Sequence, residues 1–146
     1  MLLVWLYTED GDVLNNMFTK YKTVSLYQEG SPGKSGPEIA AKVKIADSFG
    51  KRLIGLLGTK SLPRGEGLLI VPCKQVHTFF MAYSLDLIFL DESDFILYLV
   101  ETISPNRISP YISKSRKVLE LPASTIKTHG LKIGEKLVFH PRPLYG

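Results

Sequence analysis

The sequence His77-Thr78-Phe79-Phe80-Met81-Ala82-Tyr83-Ser84-Leu85-Asp86-Leu87-Ile88-Phe89-Leu90 decides how this chain folds. Its second half, Leu85–Leu90, carries apolar side chains on both alternating faces, and Asp86 is the one exception. A strand that is apolar on both faces lies inside a sheet and has little exposed area. Because an unpaired carboxylate is expensive to bury, Asp86 either faces solvent, accepts hydrogen bonds from backbone amides or lines a polar pocket.

Short apolar segments typical of β-strands occur along the rest of the chain. Polar turns separate them, and Asp91–Asp94 has the length and composition of a hairpin connection. Helical features occur twice: apolar residues recur from Phe49 to Leu57 before Gly58, and Pro122 opens a second segment that Gly130 ends. This organisation predicts a mainly β protein, a β-sandwich or barrel with one or two short helices. The other predicted strands are Leu2–Tyr7, Tyr21–Tyr27, Lys42–Ala46, Gly67–Val71, Val76–Met81, Phe95–Ile103, Arg116–Leu121 and Leu137–His140.

The stretch Gln28–Glu38, which reads QEGSPGKSGPE, lacks any large apolar residue. Such a segment cannot bury surface to offset its ordering entropy, which predicts a loop or linker. We therefore divide the chain into an N-terminal strand segment with its Gly/Pro/Ser-rich linker, residues 1–38, and a β-rich domain, residues 39–146. Gly33-Lys34-Ser35 is not a phosphate-binding loop, because Gln28 stands where a glycine is required and Pro37 interrupts the helix that should follow.

Length and composition exclude several classes of protein. The chain has 146 residues, of which 45% are hydrophobic and 22% charged, as in an ordinary globular domain. Its single cysteine, Cys73, excludes an intramolecular disulfide and an all-cysteine metal site. The longest apolar runs, Leu2–Tyr7 and Phe95–Val100, are far shorter than the ~18–20 residues of a membrane helix. The N-terminus lacks the features of a signal peptide, so we expect a cytoplasmic protein.

The net charge of +4 is unevenly distributed, because residues 104–146 contain eight basic and two acidic side chains. These basic residues are spread over several predicted elements and no short window has the density of a binding arm. A solvated basic face is therefore favoured, and nucleic acid is not an expected partner.

Four residues are candidates for a ligand-binding site: Arg52, His77, Met81 and Asp86. Arg52, on the polar side of the first predicted helix, can be solvated, tie the helix to a carboxylate or hold an anionic ligand. Glu120 lies near the end of an apolar strand. For Glu120, as for Arg52, a solvated or structural role is favoured over a role in ligand binding. Cys73 and His77 do not form a zinc site, since zinc needs three or four ligands and no others lie nearby. We expect no metal and no cofactor.

Four stretches of the sequence form one ordered pattern: Ala46–Leu57, Gly65–Leu69, Val76–Met81 with Asp86–Asp91, and Val118–Ala123. In their order and spacing these stretches resemble the bacterial and archaeal domain-of-unknown-function family 192, also called UPF0127. The resemblance covers roughly residues 40–140 and implies a mainly β, jelly-roll-like domain with short helices; it implies no established reaction, cofactor or partner. Relatives often have a basic residue and a proline at the positions of Ala82 and Ser84.

The favoured hypothesis is a small soluble binding module whose pocket near His77, Met81 and Asp86, with Arg52, holds a small ligand or a protein segment. One alternative is an assembly component that adds the edge strand Leu2–Tyr7 to the sheet of a partner. The other is a small enzyme in which His77 and Asp86 act as an acid/base pair. The enzyme is less favoured, because nothing in the sequence indicates a substrate.

Overall fold

The computed structural model describes residues 21–32 and 34–142. In these residues the chain forms seven strands and two short helices, which confirms the predicted mainly β class. The predicted strand Leu2–Tyr7 lies outside the described residues. The order is β1 (Lys22–Glu29), β2 (Ser35–Ala46), α1 (Phe49–Ile54), β3 (Glu66–Ile70), β4 (Leu85–Leu90), β5 (Ile96–Ile103), β6 (Lys117–Pro122), α2 (Thr125–His129) and β7 (Leu137–Pro141).

The seven strands form one mixed sheet in the order β5-β4-β6-β3-β2-β1-β7. All neighbours are antiparallel except β2 and β3, whose long connection contains α1. The two edges approach at one corner, where the Ile96 amide donates to Glu135 O at 2.8 Å and the Leu137 amide donates to Asp94 O at 3.0 Å. The sheet is nevertheless not closed into a barrel, and the jelly-roll detail of the prediction is not confirmed.

Each face of the sheet carries its own hydrophobic cluster, because the central strands are apolar on both faces. β4 is buried along its whole length, as the sequence predicts for a central strand. The first cluster contains, among others, Ile88, Leu90, Leu119, Leu121 and Ile126. The second cluster contains, among others, Leu68, Leu85, Leu87, Phe89 and Val118.

The helix α1 begins where the sequence predicts and ends earlier. Ser48 is its N-cap, and the Ser48 hydroxyl accepts a hydrogen bond from the Lys51 amide at 3.3 Å. The helix ends at Ile54, because Gly55 adopts φ +50°, and it does not extend to Gly58. The sequence analysis places Phe49 among the apolar residues of the helix, but its side chain is 75% exposed in the structure.

Residues 35–38, predicted as part of the linker, lie instead at the start of β2. Tyr27 pairs with Glu38 and Glu29 pairs with Ser35, so backbone pairing with β1 orders a segment that buries little side-chain surface. β1 also pairs with β7, and Val24 and Leu26 belong to the first cluster. The described part of the N-terminal segment therefore belongs to the same sheet as the β-rich region.

The predicted strand Val76–Met81 is wrong, since this segment makes only an isolated bridge between His77 and Ile108. Side-chain hydroxyls replace the strand ladder there. The Thr78 hydroxyl donates to Ser104 O at 2.7 Å and accepts from the Arg107 amide at 2.9 Å. The positive φ of Phe80, +64°, then turns the chain out of the extended conformation.

Gly67→Ala tests the close approach of β3 and β6. A Cβ at Gly67 would lie 2.7 Å from Leu121 Cδ2 and 3.0 Å from Glu120 O, so a methyl group overpacks the sheet. We expect the free energy of unfolding to fall by about 1–3 kcal/mol, measured by urea denaturation. An unchanged transition midpoint would contradict this packing.

Candidate functional site

Asp86 is completely buried and its two carboxylate oxygens are both used by backbone amides. Oδ1 accepts from the Thr102 amide at 2.8 Å, and Oδ2 accepts from the Ile126 amide at 2.8 Å. The sequence left three environments open for Asp86: solvent, backbone amides or a polar pocket. The structure shows the second of these, hydrogen bonds from backbone amides. The carboxylate joins β4 to β5 and to α2, which is a structural role.

The structure does not bring Asp86 to His77. Asp86 points to the face of the first cluster, because its neighbours Leu85 and Leu87 point into the second. Val76, which precedes His77, packs in the second cluster. His77 itself is exposed, and its ring stacks on Phe79 with the centroids 5.1 Å apart.

Arg52 and Met81 lie on the side of the second cluster. Arg52 is half-buried in α1, and its Nη1 donates to Val71 O at 3.3 Å, which ties the helix to the end of β3. Met81 packs against the second cluster, and its amide donates to Thr78 O at 3.2 Å. Met81 therefore supports the turn that carries Phe79 and Phe80.

Glu120 is the residue whose importance the sequence does not reveal. It lies in β6 between Leu68 and Leu87, is 6% exposed, and faces the second cluster. Within residues 21–32 and 34–142 its carboxylate has no hydrogen-bond or ion-pair partner. Burial raises the pKa of Glu120 from 4.5 to about 7. The only sequence signal is a carboxylate in an alternating apolar strand, which is the same signal that Asp86 gives.

The Glu120 carboxylate keeps a narrow contact with solvent. Among the described residues, every fully buried side-chain nitrogen or oxygen has a hydrogen-bond partner, so the partnerless oxygens of Glu120 are not fully sealed. Its charge acts on Cys73 and Tyr83. Burial first, and Glu120 to a smaller extent, raise the pKa of the Cys73 thiol, and burial is also the first cause that raises the pKa of Tyr83. Cys73 therefore remains a protonated thiol, whose Sγ donates to Gln75 O at 3.2 Å.

His77 belongs to an exposed aromatic surface on two antiparallel, irregular segments, residues 74–80 and 106–112. The Thr78 amide donates to Arg107 O at 2.8 Å and the Ser109 amide donates to Val76 O at 2.8 Å, which holds the segments together. We call this the aromatic surface and define it by His77 and four exposed large side chains: Phe79 (39%), Phe80 (75%), Ile108 (60%) and Tyr111 (62%).

Two cavities lie away from the four residues predicted from the sequence. A cavity of about 170 Å³ lies beside α2 and includes Arg64, Ser124 and His129 in its lining. A second, of about 350 Å³, lies between β1 and the segment 134–136.

The described part of the chain contains no group of three His, Cys, Asp or Glu side chains that could hold a metal ion. Nor does it contain a helix that is long and apolar enough to cross a membrane.

The family suggested by the sequence is confirmed by comparison with known proteins. The model of the DUF192 family, described as "Uncharacterized ACR", matches residues 32–139. The chain therefore belongs to the DUF192 family, whose function is not known.

Curated relatives carry the same family name. UPF0127 protein PH1112 of Pyrococcus horikoshii is 37% identical over 101 residues, which cover 66% of this chain and 85% of that protein. UPF0127 protein PF1050 of Pyrococcus furiosus is 30% identical over 109 residues, covering 70% and 90%.

Solved structures share the fold. A "putative transcription regulator" from Sinorhizobium meliloti 1021 superposes with a TM-score of 0.69 at 22% identity, covering 82% of this chain and 95% of that one. A protein of unknown function from Novosphingobium aromaticivorans gives a TM-score of 0.65 at 17% identity, covering 80% and 84%. At these identities the similarity establishes the fold alone.

Asp86→Asn tests the structural role of the buried aspartate. The asparagine side chain has one oxygen that accepts a hydrogen bond and one NH₂ group that does not. Either the Thr102 or the Ile126 backbone amide therefore loses its acceptor. We expect a loss of about 1–3 kcal/mol in the free energy of unfolding, measured by thermal and urea denaturation. Asp47→Asn is the matched control, because Asp47 is exposed and its carboxylate forms a surface ion pair with Lys51 at 3.5 Å, an interaction of small energy. Equal stability of the two variants would contradict this role.

Glu120→Gln tests the buried carboxyl through pH. Since the folded-state pKa lies above the ordinary value, the folded protein holds the proton more strongly, and the burial penalty is small near pH 4.5 and complete above pH 7. The variant should therefore gain stability over the wild type as the pH rises. We expect the difference in unfolding free energy to grow by roughly 2–3 kcal/mol between pH 5 and pH 8 in urea titrations.

Glu101→Gln is the control for this pH series, because Glu101 is exposed on β5. Its stability difference from wild type should stay constant from pH 5 to pH 8. If the difference in unfolding free energy between Glu120→Gln and the wild type did not change with pH, ionisation of the Glu120 carboxyl would carry no cost in stability.

Proposed function

We propose that this protein is a binding module that takes an acidic, extended segment of another protein across the aromatic surface. The observation that supports it is the exposure of Phe79, Phe80, Ile108 and Tyr111 on one small pair of segments. Exposed apolar side chains grouped on one part of a surface mark interaction sites, whereas single exposed ones need no explanation. Here the rings of His77 and Phe79 stack with their centroids 5.1 Å apart, and Ile108 pairs with His77 across the two segments. Aromatic anchors are also the side chains that dominate binding energy at interfaces.

The backbone of the same segments favours a protein partner. His77 and Ile108 form a non-hydrogen-bonded antiparallel pair, because the flanking residues make the two bonds of the bridge. The amides of His77 and Ile108 therefore point away from each other, and neither donates to another backbone group in the described residues. An extended peptide can add to such an edge through its own backbone.

The charge around the aromatic surface favours an acidic segment. Residues 72–81 and 104–116 contain four basic side chains and no acidic ones. All four are exposed, so they are available to a carboxylate-bearing partner. They are Lys74, Arg107, Lys114 and Arg116.

Phe80 combines high exposure with backbone strain. It adopts φ +64°, in the left-handed region that costs a residue with a Cβ about 1–2 kcal/mol, and its amide donates to Asn106 Oδ1 at 3.2 Å. An exposed side chain repays none of this cost through burial. Strain of this kind, held by the surrounding structure, occurs preferentially at functional positions.

The acid/base alternative has no geometric support, because both Asp86 oxygens are bound by backbone amides on the other side of the sheet. Arg52 contacts the end of β3 and Met81 packs against the second cluster, so neither is among the five residues that define the aromatic surface. The edge-strand alternative concerns Leu2–Tyr7, outside the described residues.

Phe80→Gly separates binding from stability. Glycine relieves about 1–2 kcal/mol of strain against an entropic cost of about 0.5–1 kcal/mol, so the melting temperature should not fall. We expect the affinity for a short fluorescein-labelled peptide of alternating glutamate and valine to fall at least about ten-fold, measured by fluorescence anisotropy. Affinity for this peptide should also weaken as salt is raised.

Phe49→Ala is the control, because Phe49 is also 75% exposed but lies on α1, and alanine suits its helical backbone. It should leave peptide affinity unchanged. Absence of saturable binding, or an equal loss in both variants, would contradict the proposal. Tighter binding of a single-stranded oligonucleotide than of the acidic peptide would contradict the proposal and favour nucleic-acid binding instead.

A further inference from the structure

We propose that the cavity beside α2, separate from the aromatic surface, binds a phosphate-type oxyanion, either inorganic phosphate or a small phosphate monoester. The lining of the cavity includes Arg64, Ser124, Thr128 and His129. Arg64 comes from the turn before β3, and the other three come from the turn and helix that follow β6.

The donors in this cavity are available to a ligand. In the described part of the chain, the side chains of Arg64, Ser124, Thr128 and His129 make no hydrogen bond or ion pair. Thr125, by contrast, already donates its hydroxyl to Pro122 O at 2.6 Å. Among the described residues, no aspartate or glutamate lines the cavity. A guanidinium, hydroxyl groups and an imidazole without a competing carboxylate form an environment that favours an anion.

The dimensions of the cavity suit a small oxyanion. Its volume is about 170 Å³, several times the roughly 10–15 Å³ that holds one water molecule on the same measure, so it has room for a tetrahedral oxyanion with a small substituent. Ile39 and Pro122 supply an apolar wall against which the organic group of a monoester can pack.

Ser124 provides a second reason to regard this cavity as a site. It adopts φ +74° and is exposed, although glycine would relieve the strain of that conformation. Nearby Gly130 and Gly134 show the ordinary solution, with glycine at φ +60° and +93°. Ser124 makes no side-chain cap hydrogen bond to α2, so its hydroxyl has no role in starting the helix. A serine kept at a strained position in the lining of a cavity fits a ligand-binding role.

The test is a titration of the whole protein with inorganic phosphate, followed by ¹H–¹⁵N NMR. We expect saturable shifts of the amides of residues 65 and 124–128, with a dissociation constant in the low millimolar range. Arg64→Gln should weaken binding about ten-fold or more, because it removes the charge-assisted hydrogen bonds. Arg142→Gln is the control, since Arg142 is exposed and lies outside both the cavity lining and the aromatic surface, and it should bind phosphate like the wild type.

Further arms identify the ligand and keep the test decisive. Phenyl phosphate should bind more tightly than inorganic phosphate if the apolar wall holds an organic group, and equal affinity would assign the site to phosphate itself. Acetate binding as tightly as phosphate would overturn the assignment, as would no saturable shift or an equal loss in both arginine variants. If Arg64→Gln does not fold, the Ser124→Gly variant provides the test, because glycine suits φ +74°. Phosphate affinity of Ser124→Gly equal to that of the wild type would overturn the proposal.

Discussion

The carboxylate of Asp86 holds β4, β5 and α2 in one arrangement through its bonds to the amides of Thr102 and Ile126. A buried charge is tolerated only when hydrogen bonds replace its water, and here both oxygens have a charge-assisted bond to the backbone. These contacts position the two parts of the molecule that carry the proposals. β5 leads into the segment that forms half of the aromatic surface, and α2 forms a wall of the cavity next to Ser124.

Asp86 and Glu120 show how a buried carboxyl group can have opposite effects on stability on two neighbouring strands. Asp86 faces the first cluster and is fully hydrogen-bonded, whereas Glu120 faces the second cluster without a partner in the described residues. Burial raises the pKa of Glu120 to about 7, so its charged form costs stability at neutral pH. A protein that keeps such a group accepts a stability cost, as proteins commonly do where function requires it.

The two proposed binding regions share a physical feature, which is a strained residue with a large or polar side chain at a position where glycine would be relaxed. Phe80 has φ +64° on the aromatic surface, and Ser124 has φ +74° at the cavity. Membership of the DUF192 family supplies the fold without a reaction, so function is argued from these local surfaces. Their chemistries differ: apolar rings with surrounding cations suit an acidic segment, whereas a cavity lined by a guanidinium, hydroxyls and an imidazole suits a small oxyanion.

The sequence by itself determined the mainly β class, the central position of β4, the start of α1 and the family. These features depend on alternation, capping and motifs that are local in the chain. It did not determine that Ser35–Glu38 would form a strand or that Val76–Met81 would not, because pairing with β1 and the hydroxyl of Thr78 decided those segments. Nor did it distinguish Asp86 from Glu120, since alternation shows that two side chains share a face without showing what packs against it. Only the strand order and register placed backbone amides beside Asp86 and apolar side chains beside Glu120.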